Sequence, residues 1–402
     1  MRKSSILLIV CLLFLPLFAY AKDNPPRKEV RIPDRVFETG FNIGVDFSNS
    51  FLSVQDVFKE TMILDIDRFR EGLKMNFGFN LTPLHFRVNS KKGWGFGLST
   101  GIDATGIFGL SGEMLTFKKA NDSKSDLSGA VFASAGLDFY FPVQKFKVKF
   151  RPAAFYTAAY IKPDVSYTYN VTDGGVQFFI DYSLQVFTAF PIDNFPNDFQ
   201  LTAMPGFDFS VGLEYAMSKE TGISDKIPFL DFDFGLDFIN IPIAPSTMKS
   251  YMLMSGMLGK NDPVQINDLV SSFEDIEMDP VYGEGSEKIS RPFRVMAHLD
   301  WRPFLGSRLF TITPSFGFSL NDIYMKPFSY EAGLKARLDL INLLIVTAGI
   351  SYEDRLWINS FNLALNFRAV ELNIGANLRS QDFLKMWDGY GVGAYFGLKF
   401  GW

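Results

Sequence analysis

The chain has 402 residues but only one cysteine and two histidines, and both scarcities exclude chemistry. One thiol cannot close an internal disulfide or hold an iron–sulfur cluster, and with so few imidazoles no Cys/His zinc site can be assembled. A strong charge of one sign is also missing. The formal net charge is -5 and there is no basic tract, which argues against nucleic acid as a partner. No stretch reaches the roughly 18 apolar residues that read as a membrane helix. What the chain does have in quantity is phenylalanine, 44 of them, and 33 glycines.

The first 21 residues read as an address rather than as structure. Arg2 and Lys3 make a positive start, and an apolar run follows from Ile6 to Phe18, interrupted by Pro16. Ala19-Tyr20-Ala21 is a small-x-small cleavage site that gives way to Lys22-Asp23. Cleavage after Ala21 removes Cys11 and two basic residues, leaving a thiol-free chain. The expected organisation is therefore a signal peptide over 1–21, a short periplasmic segment over 22–35 and one barrel over 36–402.

Most of the remaining chain alternates with a period of two, the signature of strands with unlike faces. Leu230, Phe232, Phe234, Leu236 and Phe238 share one parity, and Asp231, Asp233, Gly235 and Asp237 the other. Phe293, Val295, Ala297, Leu299 and Trp301 alternate with Arg294, Met296, His298 and Asp300. A soluble β-sandwich also alternates. Here, however, the apolar faces are rich in Phe and Leu along their whole length, the polar faces carry Gly, Ser, Asn and Asp, and a leader routes the chain outward. Segments of about 9–11 residues suit tilted transmembrane strands.

At the C-terminus Phe396, Leu398, Phe400 and Trp402 occupy every second position and the chain ends on an aromatic. This resembles the insertion signal of bacterial outer-membrane β-barrels. The resemblance implies an outer-membrane location, lipid as surroundings and the barrel-assembly machinery as a partner. In size and strand number the chain is also similar to long-chain fatty-acid transporters, although 22–35 offers no N-terminal hatch. That segment is equally too short for a plug domain.

The expected fold is all-β: a transmembrane antiparallel up-and-down β-barrel of about 16 strands, with 14 as the alternative. The alternative drops 199–216 and 246–256, the two weakest segments. Short connections such as 90–93, 142–144, Asn342 and Ala369 alternate with long ones at 48–71, 107–127, 257–289 and 379–388. Short periplasmic turns and long outer loops have this pattern. Helical spacing is expected within two of the long loops, over 53–62 and 263–279. Four copies of G-x-D-F, beginning at Gly44, Gly136, Gly206 and Gly235, each set Asp inward and Phe outward by parity.

The same parity nominates lumen residues. Asp208, Glu214, Asp231, Asp233 and Asp237 form an acidic group on two neighbouring strands. Lys147, Lys149 and Arg151 are basic on an earlier strand, and Arg294, His298, Lys335 and Arg337 on later ones. Separated patches of this kind set ion selectivity in pores; the alternative is that they pair across a filled interior.

Enzyme motifs fare poorly. Gly97-Leu98-Ser99-Thr100-Gly101 matches a nucleophile elbow, but lies inside a continuous strand pattern instead of at a strand-to-helix turn. His298, with Asp300 two residues on, is the remaining candidate for hydrolysis. The expectation is not an enzyme, with no cofactor and no metal. The leading function is a passive channel for small solutes. The alternatives are a closed structural or display barrel and a hydrophobic-solute transporter. Oligomeric state is open.

Overall fold

The structure, a computed structural model, describes residues 35–50, 53, 72–90, 93–110, 126–143, 146–172, 175–191, 201–215, 217, 231–264, 281–303, 309–320, 328–340, 343–353, 356–367 and 369–402. The leader, residues 22–34 and both helical expectations except Ser53 lie largely outside these residues, the strand ends 263–264 apart.

Alternation becomes antiparallel pairing from end to end. The first five strands, β1 (Phe37–Asn49), β2 (Leu73–Asn89), β3 (Gly95–Leu110), β4 (Asp126–Val143) and β5 (Phe146–Thr172), pair in chain order. So do the last seven: β11 (Phe293–Arg302), β12 (Phe310–Leu320), β13 (Phe328–Leu340), β14 (Leu344–Glu353), β15 (Leu356–Phe367), β16 (Val370–Ser380) and β17 (Gly391–Gly401). β17 then pairs with β1, from Glu38↔Gly401 to Ser48↔Gly391, and closes the ring. At this seam Val36 N–H donates to the Trp402 carbonyl at 2.8 Å, and the Trp402 and Phe37 rings stack at 4.5 Å. Closure leaves no free sheet edge, which a bilayer would not tolerate.

Between β5 and β11 the order is less simple. The lower half of β5 pairs with β7 (Gly206–Tyr215) and its upper half with β6 (Gly175–Thr188). β7 pairs with β8 (Asp231–Ala244), and β8 with β11. Above them β6 pairs with β9 (Ser246–Val264), and β9 with β10 (Val281–Ile289). Thus β6 and β7 are the two halves of one stave, as are β8 and β9, and β10 and β11. Seventeen strands make a closed barrel of 14 staves.

The count of sixteen therefore gives way to the alternative of fourteen, for a physical reason. The expected segments 199–216 and 246–256 hold the strands β7 and β9, but these continue existing staves and add none. The staves divide after Thr188 and before Gly206, at Pro245, and at 290–292, and proline cannot donate to a ladder. β10 lies within 257–289, expected as a loop; its sequence, Val281-Tyr-Gly-Glu-Gly-Ser-Glu-Lys-Ile289, has little of the apolar alternation that reveals the others.

The barrel is inside-out relative to a soluble protein. Phe41, Ile43, Val45 and Phe47 of β1 are exposed outward, as are Phe77, Phe96, Phe150, Phe316, Leu334, Phe361, Ile374 and Phe396 around the ring. No described helix is long and apolar enough to cross a membrane; strands carry this surface instead. The buried apolar cluster lies on the inner wall: Ala130, Phe132, Phe155, Tyr160, Phe187, Met248 and Ile289, with Tyr251 against it. Phe132 is level with Asp103, and Phe155 with Ser134, so these rings share the polar parity. The cluster sits where the staves break. There Ser246 Oγ accepts from Thr157 N–H at 3.0 Å and donates to the Met204 carbonyl at 3.0 Å, satisfying backbone groups that the broken ladder leaves over.

Inward glycines leave space for long neighbours. A Cβ on Gly235 would collide with the His298 imidazole. Gly235→Leu is expected to expel that ring and cost about 1–3 kcal/mol, the usual range for overpacking. The denaturant midpoint of the folded barrel checks this; an unchanged midpoint would mean that the ring does not rest there.

Candidate functional site: the barrel lumen

Strand register puts every nominated lumen residue on one continuous inner face. Lys147 is level with Glu214, Arg151 with Ser210 and Ala153 with Asp208. Gly212 is level with Asp237, His298 with Gly235, Asp300 with Asp233 and Arg302 with Asp231. Arg294 follows through Ser319, and Lys335 and Arg337 through Thr313 and Thr311.

The charges are not segregated into patches. Glu214 lies between Lys147, at 3.6 Å, and Lys149, which bonds it directly. Asp231 meets Arg302 at 2.9 Å, and Asp233 bonds the same guanidinium. Asp237 lies 3.8 Å from His298, Asp138 lies 3.6 Å from Arg151, and Glu331 lies 3.5 Å from Arg294. Arg337 turns to Asp339 at 3.2 Å, and the stem of Lys335 crosses Gly349. Arg291 grips Asp208 through two bonds of 2.6 and 2.7 Å, both groups nearly out of solvent.

Sequence reasoning missed three partners. Arg291 lies in the break between β10 and β11, Arg302 closes the acidic pair on β8, and Arg379 meets Asp46 at 2.8 Å. For Arg291 and Arg379 the signal that could have prompted a search is the G-x-D-F repeat; Arg302 meets acids outside it. Each of the repeat's aspartates, Asp46, Asp138, Asp208 and Asp237, faces inward and is met by a basic side chain from a nearby stave. The four aspartates share the inward parity, and the pairings were not legible because the partners lie 13 to 333 positions away along the chain.

These pairs run around the wall. Most join adjacent staves or staves one apart, and Lys162–Glu287, at 3.3 Å, reaches past two. The pairs named above all run along the wall. A cavity of about 500 Å³ spans the lumen. Asp46, Asn76, Asn80 and Asp103 line it on one side; Asn240, Arg291 and Arg294 line it from half the circumference away. Phe132, Leu356 and Ile358 add apolar surface. The lumen therefore combines balanced charge with an aromatic wall.

The hydrolase candidates are not assembled. Ser99 lies in mid-β3 and donates to Asp138 at 2.9 Å, so no elbow exists. Asp300 accepts from Thr313 at 2.6 Å and leaves His298 to Asp237. The His298 ring leans over Gly235, on the β8 side, away from Ser315 on β12. His85 follows the register shift after Leu81 and lies 3.7 Å from Glu38. Among the described residues no cluster of His, Cys, Asp or Glu could hold a metal ion.

Fold and lumen together define a class: an outer-membrane-type β-barrel with the architecture of a channel. Comparison with solved structures finds barrels of similar fold. The toluene transporter TbuX of Ralstonia pickettii aligns over 96% of this chain and 93% of its own, with a TM-score of 0.51 and 8% identity. A deltaS2S3 mutant of the monoaromatic hydrocarbon channel TodX aligns over 96% and 94%, with a TM-score of 0.52 and 10% identity. At these identities the likeness is one of fold. No protein-family model matches the chain, and no curated protein matches it.

Proposed function

We propose that this chain is exported by residues 1–21, cleaved after Ala21, and inserted in the outer membrane with its C-terminal strand as the assembly signal. There it acts as a passive channel for small solutes, hydrophobic ones included. One observation carries the reading: inner charges pair along the wall while the cavity runs from wall to wall. Charges bridging the lumen would suit a closed structural barrel; charges held flat leave a path. The aromatic cluster on the inner wall, and the hydrocarbon channels that share the fold, favour solutes with apolar bodies. Ser99 is engaged with Asp138 and His298 with Asp237, so the two candidates for hydrolysis are not brought together.

Single-channel recording of the refolded barrel in a planar bilayer tests this. The expected result is stable conductance steps. Because the inner acids and bases neutralise one another locally, a salt gradient should give a reversal potential near zero. Silence from protein whose heat-modifiable gel shift proves it folded would overturn the open-channel reading and leave the closed barrel.

A further inference from the structure

The connection between β16 and β17, residues 381–390, is a compact turn whose apolar residues have no role in the lumen. Leu384 is 81% exposed, Trp387 64% and Phe383 46%, all within five positions. The turn is not a loose tip. Ser380 Oγ accepts from Asp382 N–H at 3.1 Å, and Asp382 Oδ1 accepts from Leu384 N–H at 2.9 Å. A short 3-10 turn, Met386–Asp388, buries Met386 completely and ends on Gly389, whose φ of 72° is left-handed. Ordered, anchored and apolar on its exposed side, it is built to present that side to something.

Its direction follows from ring contacts. Phe383 packs edge-on against Trp357 at 4.9 Å, Trp357 against Tyr352 at 5.0 Å, and Tyr352 stacks on Tyr330 at 5.1 Å. Tyr330 and Tyr352 belong to the outward parity of β13 and β14, which also carries Leu334 and Ile350. The turn thus leans outward over the rim and prolongs the apolar outer face beyond the strand ends. Lys385, Asp382 and Asp388 are interleaved with the apolar residues, as suits a zone of mixed polarity.

We propose that the 381–388 turn is a membrane-docking element, seating Leu384 and Trp387 at the headgroup–acyl boundary of the leaflet at the long-loop end of the barrel. The occupant of this surface is lipid, because the surface is continuous with the lipid-facing wall and carries the Trp and Tyr side chains that favour membrane interfaces. The inference rests on the outer-membrane reading above and goes beyond it. One sector of the barrel would be pinned at a defined depth by a turn as well as by its strands.

The test uses a single label. In a Cys11→Ser background, Leu384→Cys carries an environment-sensitive fluorophore on its only thiol, and Phe396→Cys serves as a wall control. Both are reconstituted in phosphatidylcholine vesicles with nitroxide at a shallow acyl position, or with iodide outside. The expected result is that label at 384 loses most of its emission to the shallow nitroxide and little to iodide. Quenching by iodide alone would overturn the proposal. Protection from both quenchers, with energy transfer between differently labelled copies, would also overturn it and assign the surface to a second copy of the chain. If the label at 396 also escapes the nitroxide, the outer-membrane reading fails, separably from this inference.

Discussion

Arg291→Met should cost the barrel about 3–5 kcal/mol, the penalty of stranding one member of a buried ion pair. Asp208 is 2% exposed and depends on Arg291 for both of its oxygens. The guanidinium in turn lies 5.3 Å over the Phe155 ring, inside the apolar cluster at the broken staves. Removing the cation leaves a buried carboxylate without the guanidinium that holds both of its oxygens. The urea midpoint, read by the heat-modifiable gel shift, should fall by most of the transition. The double variant Asp208→Leu with Arg291→Met should recover much of the loss, because an apolar pair of similar volume is often as stable as the ions it replaces. A single variant with an unchanged midpoint would mean that the pair does not form. The pairs lower in the lumen, such as Lys147–Glu214, are half-exposed, and their loss should be worth far less.

Neighbouring substitutions on β12 should differ sharply. Phe316 is 62% exposed on the outer face in mid-strand, and Ser315 faces the lumen opposite His298. Arginine on the lipid face near the bilayer midplane costs about 2–4 kcal/mol, while lumen positions accept polar groups. Phe316→Arg should therefore depress folding into vesicles by that amount. Ser315→Arg should fold nearly normally and shift the reversal potential toward anion selectivity. Equal penalties at both positions would contradict an aqueous lumen, and a larger penalty at Ser315 would reverse the assignment of faces.

Much of the fold was legible because strands with unlike faces write their parity into the sequence. Asp231 to Phe238 and Phe293 to Trp301 keep the inside and outside that their alternation implies. The opposite, polar parity of those strands came with them. What failed was counting. Alternation marks a strand but not which strand lies beside it, so the halves of a broken stave look like two staves. β10 failed for a related reason: with glycine and glutamate at alternate places it lacks the apolar parity that identifies a lipid-facing segment.

The sequence alone therefore indicated the fold class and the unlike faces of the strands. Period-two patterning with Phe-rich faces on one side and polar faces on the other is what strands of such a barrel write into a sequence. Only the tertiary structure decided the rest. It set the number of staves, because register is a relation between strands. It turned apparent acidic and basic patches into pairs, because Asp46 finds Arg379 only when the ring closes. It also placed the aromatic cluster inside and the Leu384–Trp387 turn outside. Parity ends where strands break or turn, and beyond that point the direction of a side chain is set by what it packs against.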